Sequence, residues 1–301
     1  MKIIAVVITY NRLELLKECI AAIKDQTRTA DEIVVINNSS TDGTDDWLKQ
    51  QQVIRIFTQP NRGGSWGFME GIKQAWKLSG NWIWVMDDDT IPYTDALQNL
   101  VNAVELAAQQ NDRFGFLGSR VVWKNGELHL MNKQQETINP QGYSNLSLYL
   151  SNNIIPVNYN SFVSILINSE AVQKTGLPIK EFFIWNDDFE YTIRILKHGF
   201  KGALVNNSLA LHKTPVNYSS DIFTDTGSNL WKHRHRIRNE LYIRRKYKGT
   251  GSFIRNILKN IFVLSFKILI KRKNTRFKFI KTVIGSSVAA ISFNPVVEFP
   301  E

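Results

Sequence analysis

A single cysteine, Cys19, serves all 301 residues, so no disulfide framework can form and a reducing compartment is the default. It falls in a helical pattern beside apolar neighbours and reads as a buried small hydrophobe rather than a nucleophile. Low-complexity tracts are also missing, and with 43% hydrophobic residues the chain can bury one large core or two modest ones. No stretch suits a membrane crossing. Between Ser252 and Lys273 the apolar residues are interrupted by Arg255, Lys259 and Lys267, whereas a spanning helix needs roughly 20 mostly apolar residues. The run from Thr282 to Val297 lacks charge but contains Ser, Asn and Pro. Met1 to Thr9 has the charge and apolar run of a short signal peptide, yet Tyr10-Asn11-Arg12 stands where a small-residue cleavage site belongs, which leaves a first buried strand. There is no Gly-Lys-Ser/Thr phosphate loop, full dinucleotide fingerprint, zinc spacing, RNA-recognition or helix-turn-helix signature, and no nucleophilic Ser, Cys or Lys motif.

Acids are scarce in one region. From Asn229 to Thr282, 17 Lys and Arg face one acid, Glu240, while residues 1–228 hold 20 basic and 24 acidic residues. The net charge of +10 therefore belongs to a C-terminal segment, and the change marks a boundary near Thr226-Gly227-Ser228.

The remainder alternates strands and helices. Strand patterns at Ile3–Thr9, Ile33–Ile36, Val53–Thr58 and Trp82–Met86 are separated by helical spacing from Leu13 to Asp25 and from Asn61-Arg62-Gly63-Gly64 to about Lys77, which implies βαβ units and a mainly parallel sheet. Asn37 to Gly43 is a cluster of turn residues able to cap the next helix. A helix from about Thr94 to Gln110 and a strand from Phe114 to Trp123 follow. The segment to Asn160 has weak periodicity and the length of a substrate-covering excursion. Phe162–Ile167 and Lys201–Val205 return to strand character, with a short helix from Ser169 broken at Gly176-Leu177-Pro178.

The chain is organised around Trp82 to Pro92, where an apolar strand runs into Asp87-Asp88-Asp89 and Pro92 stops the strand from continuing. Three adjacent anions suit either a solvated turn or a divalent cation, and the position at a strand's carboxyl end is where open α/β sheets bind ligands. A second acidic cluster, Asp187-Asp188-Phe189-Glu190, opens a helix closed by Gly199, a placement that also suits the helix dipole. His212 falls just beyond an apolar strand, where a structural histidine is the ordinary reading.

In order, Thr9-Tyr10-Asn11-Arg12, Asn37 to Gly43, Asn61 to Gly64, Met86 to Asp89, Trp185 to Glu190 and the late His212 resemble family 2 glycosyltransferases of the GT-A fold over roughly residues 1–215. The full Asp triplet and the Trp-x-Asp-Asp-x-Glu stretch look most like galactofuranosyltransferases. The resemblance implies a catalytic domain over residues 1–227, with a donor half to about 120 and an acceptor half beyond it. It also implies Mn2+ or Mg2+ on Asp87, Asp89 and His212, and Asp188 as general base for an inverting transfer without a covalent intermediate. A UDP-sugar would be bound by Thr9, Asn11, Arg12, Asn37, Asn38, Arg62, Gly63, Gly64 and Asp88, and the acceptor by Trp185, Asp187 and Glu190. Many relatives have an aspartate for the uracil ring where this chain has Asn37-Asn38, so base identity stays open; a rhamnosyl or hexopyranosyl donor is the alternative to galactofuranose. Residues 228–301 begin with a helix, Trp231 to Tyr247, that resembles one packed beside the active site in these transferases. Beyond it, Phe253, Ile257, Ile261 and Leu264 alternate with Lys and Arg, as in a basic amphipathic helix on an anionic membrane surface. Packing of that face on the catalytic domain is the competing reading. The expectations are therefore a peripheral enzyme at the inner face of the cell membrane, a glycan or lipid-linked acceptor, and no nucleic-acid partner, a basic nucleic-acid binder or an inactive scaffold being the readings from other classes.

Overall fold

In the computed structural model, which describes residues 1–132 and 143–301, β1 (Ile3–Thr9), β2 (Glu32–Asn37), β3 (Ile54–Thr58) and β4 (Trp82–Asp87) are joined through α1 (Leu13–Lys24), α2 (Thr44–Lys49) and α3 (Gly64–Lys77). These strands are parallel in the order β3-β2-β1-β4, so the chain moves outward from β1 on one side and then restarts on its other side. The crevice beyond the carboxyl ends of β1 and β4 is a topological switch point, where such sheets bind ligands.

After β4 come β5 (Thr90–Pro92), α4 (Ala96–Gln109), β6 (Phe114–Val122), α5 (Leu146–Ser151), β7 (Ile154–Pro156), β8 (Ile165–Asn168), α6 (Ser169–Thr175), α7 (Asp187–Lys197) and β9 (Lys201–His212). The sheet continues from β4 through β8, β6 and β9 to β5, mixing antiparallel and parallel neighbours. Alternation along β1 explains the layers: Ile3, Ala5 and Val7 face a core shared with α1 and α4, while Ile4, Val6 and Ile8 face one shared with α3, α6 and α7. Cys19 is fully buried in the first of these, as its neighbours suggested. Gly71 lets α3 close onto β1, since a Cβ there would come within 2.4 Å of Val6 Cγ1.

Several expectations need correcting. The strand ends at the carboxylates, at Asp87, as expected, but Pro92 is not what stops it; after a turn, Pro92 closes the separate short strand β5, where it is the last residue paired with β9. Phe162 and Val163 are buried but precede β8, because Ser164 takes a left-handed φ of 55° that breaks the extended run. Lys201–Val205 and Ala210–His212 are one strand, carried across Asn206 to Ser208 by a register shift against β6. The excursion expected before Asn160 contains α5 and β7, and its part at residues 133–142 lies outside the described residues.

The basic segment is helical: α8 (Leu230–Leu258), bent at Gly249 where φ is 80°, a wider turn over Lys259–Leu264, α9 (Ser265–Lys271) and α10 (Arg276–Ser292). Tyr242 and Ile243 of α8 pack on Ile179 and Phe182. The last residues return to the same place, Glu298 O accepting from Leu177 N at 2.7 Å. Further along, Phe253, Ile268, Phe279, Val283 and Ala290 pack against one another in a separate small core. Among the described residues, no helix is long and apolar enough to cross a membrane.

Candidate active site

At the switch point, side chains from β1 and β4 meet. Thr9 Oγ1 donates to Asp88 Oδ2 at 2.8 Å, and Arg12 Nη1 donates to Asp88 Oδ1 (3.2 Å) and Asp89 Oδ2 (2.7 Å). Burial pushes the Asp88 carboxyl up to about 6, with Arg12 opposing. Burial also drives Asp87 well above the usual carboxylate range, and Asp89 and Asp88 add to the rise. Asp89 goes the other way: burial would raise it, but His212 and Arg12 outweigh that and hold it low.

The register of β5 on β9 places His212 opposite Thr90 and hence beside Asp89. Asn132 Nδ2 donates to Ser161 Oγ (2.9 Å), which turns its Oδ1 toward His212 Nδ1 at 2.8 Å. That contact fixes the ring so that Nε2 faces Asp89. Nε2 lies 3.3 Å from Asp89 Oδ1, outside hydrogen-bonding geometry, so among the described residues Oδ1 is buried without a hydrogen-bond partner. A ring nitrogen and a buried carboxylate oxygen at that distance call for a cation or a proton between them.

The second acidic cluster faces the same cleft, which has a volume of about 720 Å³ and is lined by Arg12, Asp87, Asp89, Trp185, Asp187, Asp188 and His212 among others. Burial and the neighbouring Asp187 charge raise Asp188 to about 7. Asp187 is itself buried and raised by burial, and its charge is felt at Asp87. The loop leading in is strained: Phe183, Trp185 and Asn186 have φ of 68°, 63° and 67°. Fully buried Asn239 of α8 holds it, its Nδ2 donating to the carbonyls of Phe182 (3.0 Å), Ile184 (3.3 Å) and Trp185 (2.9 Å). Lys232 and Arg236 of the same helix line the cleft. Two carboxylate groups, one paired with cations and one with a raised affinity for protons, thus share one cleft.

Residues 4–176, more than half of the chain, match the family described as Glycosyl transferase family 2. The chain belongs to that family. Its fold is the GT-A fold of these transferases, with a mostly parallel sheet flanked by helices. It is 25% identical over 210 residues to galactofuranosyltransferase GlfT1 of Mycolicibacterium smegmatis, covering 65% of this chain and 65% of that protein. It is also 22% identical over 212 residues to a Methanococcus voltae protein named dolichyl N-acetyl-alpha-D-glucosaminyl phosphate 3-beta-D-2,3-diacetamido-2,3-dideoxy-beta-D-glucuronosyltransferase, covering 67% of this chain and 64% of that protein. The matched region is thus just under two thirds of the length of these relatives. The crystal structure of GalNAc-T7 with UDP, GalNAc and Mn2+ superposes at a TM-score of 0.63 with 14% identity, over 95% of this chain and 54% of that one.

Within this glycosyl transferase domain, Asp89 and His212 fit a divalent cation by the orphaned Oδ1 and the aimed imidazole, and their oxygen and nitrogen donors suit Mn2+ or Mg2+. Asp87 lines the same cleft, but among the described residues no group of three or more His, Cys, Asp or Glu is placed to hold a metal ion. Arg12 occupies the third side of Asp89 instead.

Other expected site residues are not brought to the cleft. Glu190, expected at the acceptor, is fully buried: Arg194 forks onto it one helical turn away, and Lys246 Nζ (2.9 Å) and Tyr247 OH (2.7 Å) close over it from α8. Asn37 and Asn38 lie under their turn rather than on it. Asn37 Oδ1 accepts from Ser40 N (2.9 Å) and Asn38 Oδ1 from Gln59 Nε2 (2.8 Å). Asn11 braces the same turn, accepting from Thr41 N at 2.7 Å. The room beside Gly63 is taken by the protein itself, since a Cβ there would meet Phe183 O at 2.3 Å; Gly64 does line the cleft. Arg62 stacks over Trp66, 4.7 Å from its ring centre, outside the cleft lining. Asn132, Lys232, Arg236 and Asn239 escaped the sequence reading. Lys232, Arg236 and Asn239 had a signal there, through the resemblance of their helix to one beside the active site, whereas Asn132 had none.

Proposed function

We propose that this chain is an inverting, sugar-nucleotide-dependent glycosyltransferase that moves galactofuranose from UDP-galactofuranose to a hydroxyl of a lipid-linked oligosaccharide in cell-surface polysaccharide synthesis. The single observation that carries the reading is the shared cleft in which Asp89 is paired with Arg12 while Asp188 is left with a raised affinity for protons. A general base works best with a pKa near the working pH, and about 7 meets that requirement.

In this mechanism the acceptor hydroxyl hydrogen-bonds to Asp188, which takes its proton as the oxygen attacks the anomeric carbon. The new bond forms on the face opposite the diphosphate, and the bond to the diphosphate breaks with its electron pair on the phosphate oxygen, which inverts the centre. Arg12 stands beside the donor carboxylates, and Asp87 and Asp187 border the space between donor and acceptor. Asp89 and His212, with Asp87 as a third candidate, would hold Mn2+ or Mg2+, which supplies when bound the positive charge that stabilises the departing diphosphate. Trp185 offers an apolar ring to the acceptor sugar.

Residues 1–227 form the catalytic unit in this reading, donor half first. The basic helices from 228 complete it through Lys232 and Arg236 and keep the enzyme peripheral at the inner face of the cell membrane. The M. smegmatis relative supports galactofuranose, and the M. voltae relative, whose name carries a dolichyl phosphate, supports a lipid-borne acceptor. That second name also carries a glucuronosyl group, so a pyranosyl donor is the alternative. Purified protein supplied with manganese and, in turn, UDP-galactofuranose, UDP-galactose, UDP-glucose and dTDP-rhamnose tests the reading; hydrolysis or transfer confined to another donor, or to none, would overturn it.

A further inference from the structure

The apolar residues of the C-terminal helices are not all used in packing. Ile254, Leu258, Phe262, Phe266 and Ile270 recur every four residues and are all at least half exposed, Phe262 at 68%. An α-helix would carry such a row slowly round its axis, but the wider i to i+5 turn over Lys259–Leu264 slows the rotation and keeps the row to one side. Ile254, Leu258 and Phe266 each follow an inward position, Phe253, Ile257 and Ser265 respectively, roughly 100° round the helix. In α10 the exposed Ile284, Val288 and Ile291 follow the buried Val283, Ser287 and Ala290 in the same way. The two helices run antiparallel, Asn260 meeting Ser287 at 3.2 Å while Ile268 and Phe279 share the core nearer the turn. In an antiparallel pair the same rotation from facing positions carries both rows to the same side of the hairpin. Arg255, Lys259, Lys267 and Lys271 each follow a row member by one position, so cations border the apolar face, and Glu240 is the sole acid between residues 229 and 282.

An isolated exposed leucine needs no explanation, but a continuous apolar face rimmed by cations does. A second copy of this chain would bring like charge to like charge, whereas lipid headgroups of opposite sign satisfy both features. We infer that this face of the C-terminal hairpin docks in the headgroup region of an anionic lipid bilayer and sets the cleft beside that surface. The hairpin turn is near the cleft: Arg272 donates to the carbonyls of Ile222 and Asp225, and His233 has its ring 5.8 Å from Phe279 and 5.6 Å from Trp185, which lines the cleft. The inference deepens the reading of a lipid-borne acceptor and rests on it for its purpose, while the docking itself stands on the surface alone.

Co-sedimentation of the full chain with phosphatidylcholine vesicles, with and without phosphatidylglycerol, tests it. The native protein is expected to bind the anionic vesicles and to leave them as salt is raised. Phe262→Ser/Phe266→Ser/Ile270→Ser is expected to weaken partitioning by about 100-fold or more, and Lys259→Gln/Lys267→Gln/Lys271→Gln by a comparable factor at low salt, both with unchanged turnover of a water-soluble acceptor. Equal binding of the serine triple variant, absence of native binding, or a dimer in sedimentation that the serine variant abolishes would overturn it. Vesicle binding by a protein that transfers no sugar would uphold the docking and overturn only the catalytic reading.

Discussion

The acidic cluster after β4 and the one opening α7 use the same residue type in the same cleft and meet opposite fates. After β4, Arg12 bridges two carboxylates and His212 is turned toward one of them, so Asp89 stays below the usual range. At α7 no cation among the described residues is hydrogen-bonded to Asp188; its carboxylate accepts from the Phe189 backbone N–H, and burial beside Asp187 lifts it to about 7. The contrast follows from where the counter-charges sit. Glu190, two residues on from Asp188, collects Arg194 and Lys246, which removes those cations from the pair that needs to remain proton-accepting. Separation of the charges, more than their number, leaves one cluster paired and the other with a raised affinity for protons, as the proposed reading requires of a binding site and a base.

The largest effect should come from removing the base. Asp188→Asn is expected to lower turnover by about 100- to 10,000-fold with donor affinity retained, measured by initial rates and calorimetric titration; a loss under tenfold would break the contrast. In the native enzyme, turnover is expected to fall as pH drops below about 7, where Asp188 takes up a proton. For stability the sign is opposite. A carboxyl raised in the folded state costs stability as pH rises from its unfolded value through its folded one, so Asp188→Asn should melt higher than the native protein at pH 8.

Next in size is the ion cluster that keeps cations away from that base. Glu190→Gln leaves Arg194 and Lys246 without their partner and is expected to cost roughly 3–5 kcal/mol in denaturant titration. Because Glu190 is held below its ordinary value, chiefly by Arg194 and Lys246 against the cost of burial, its contribution is present above the unfolded value and disappears as pH falls through the folded one. An acid limb of the stability profile that is missing in Glu190→Gln would sharpen the contrast.

Asn239→Ala takes three donated hydrogen bonds from a strained loop, and about 2–3 kcal/mol of stability should go with them. If the amide positions Asp188, kcat should fall more than donor KM rises; an unchanged kcat in a destabilised protein would leave it a structural strut. The smallest change is expected from Asn132→Ala, which frees His212 to rotate: affinity for Mn2+, read by its paramagnetic signal, should weaken about 10- to 100-fold. No change would mean that His212 is not held for a cation.

Much of the framework was readable along the chain because buried parallel strands are continuous apolar runs and their helices repeat at 3.6 residues. Ile3 to Thr9, Leu13 to Lys24 and Trp82 to Asp87 follow those patterns closely. Short elements such as β5 and β7, at three residues each, carry too little pattern to be seen. At the site, Asp87, Asp89, Asp188 and His212 were legible because they belong to ordered motifs, and they do meet in one cleft. Glu190 shared the motif but not the place, since one turn of helix puts it among Arg194, Lys246 and Tyr247. Asn37 Oδ1 and the space beside Gly63 meet the protein itself, because a polar or glycine residue at the end of an element can face its own chain as readily as a ligand.

The sequence by itself determined the α/β class, the two acidic clusters and the cationic tail, because periodicity and residue type are local properties that folding does not alter. Which carboxylate would hold its proton, which cation would neutralise which anion, and which apolar row of the last helices would be left uncovered were decided only by the tertiary structure. Each depends on desolvation and on contacts between residues as far apart as Arg12 and Asp89, Asn132 and His212, or Glu190 and Lys246.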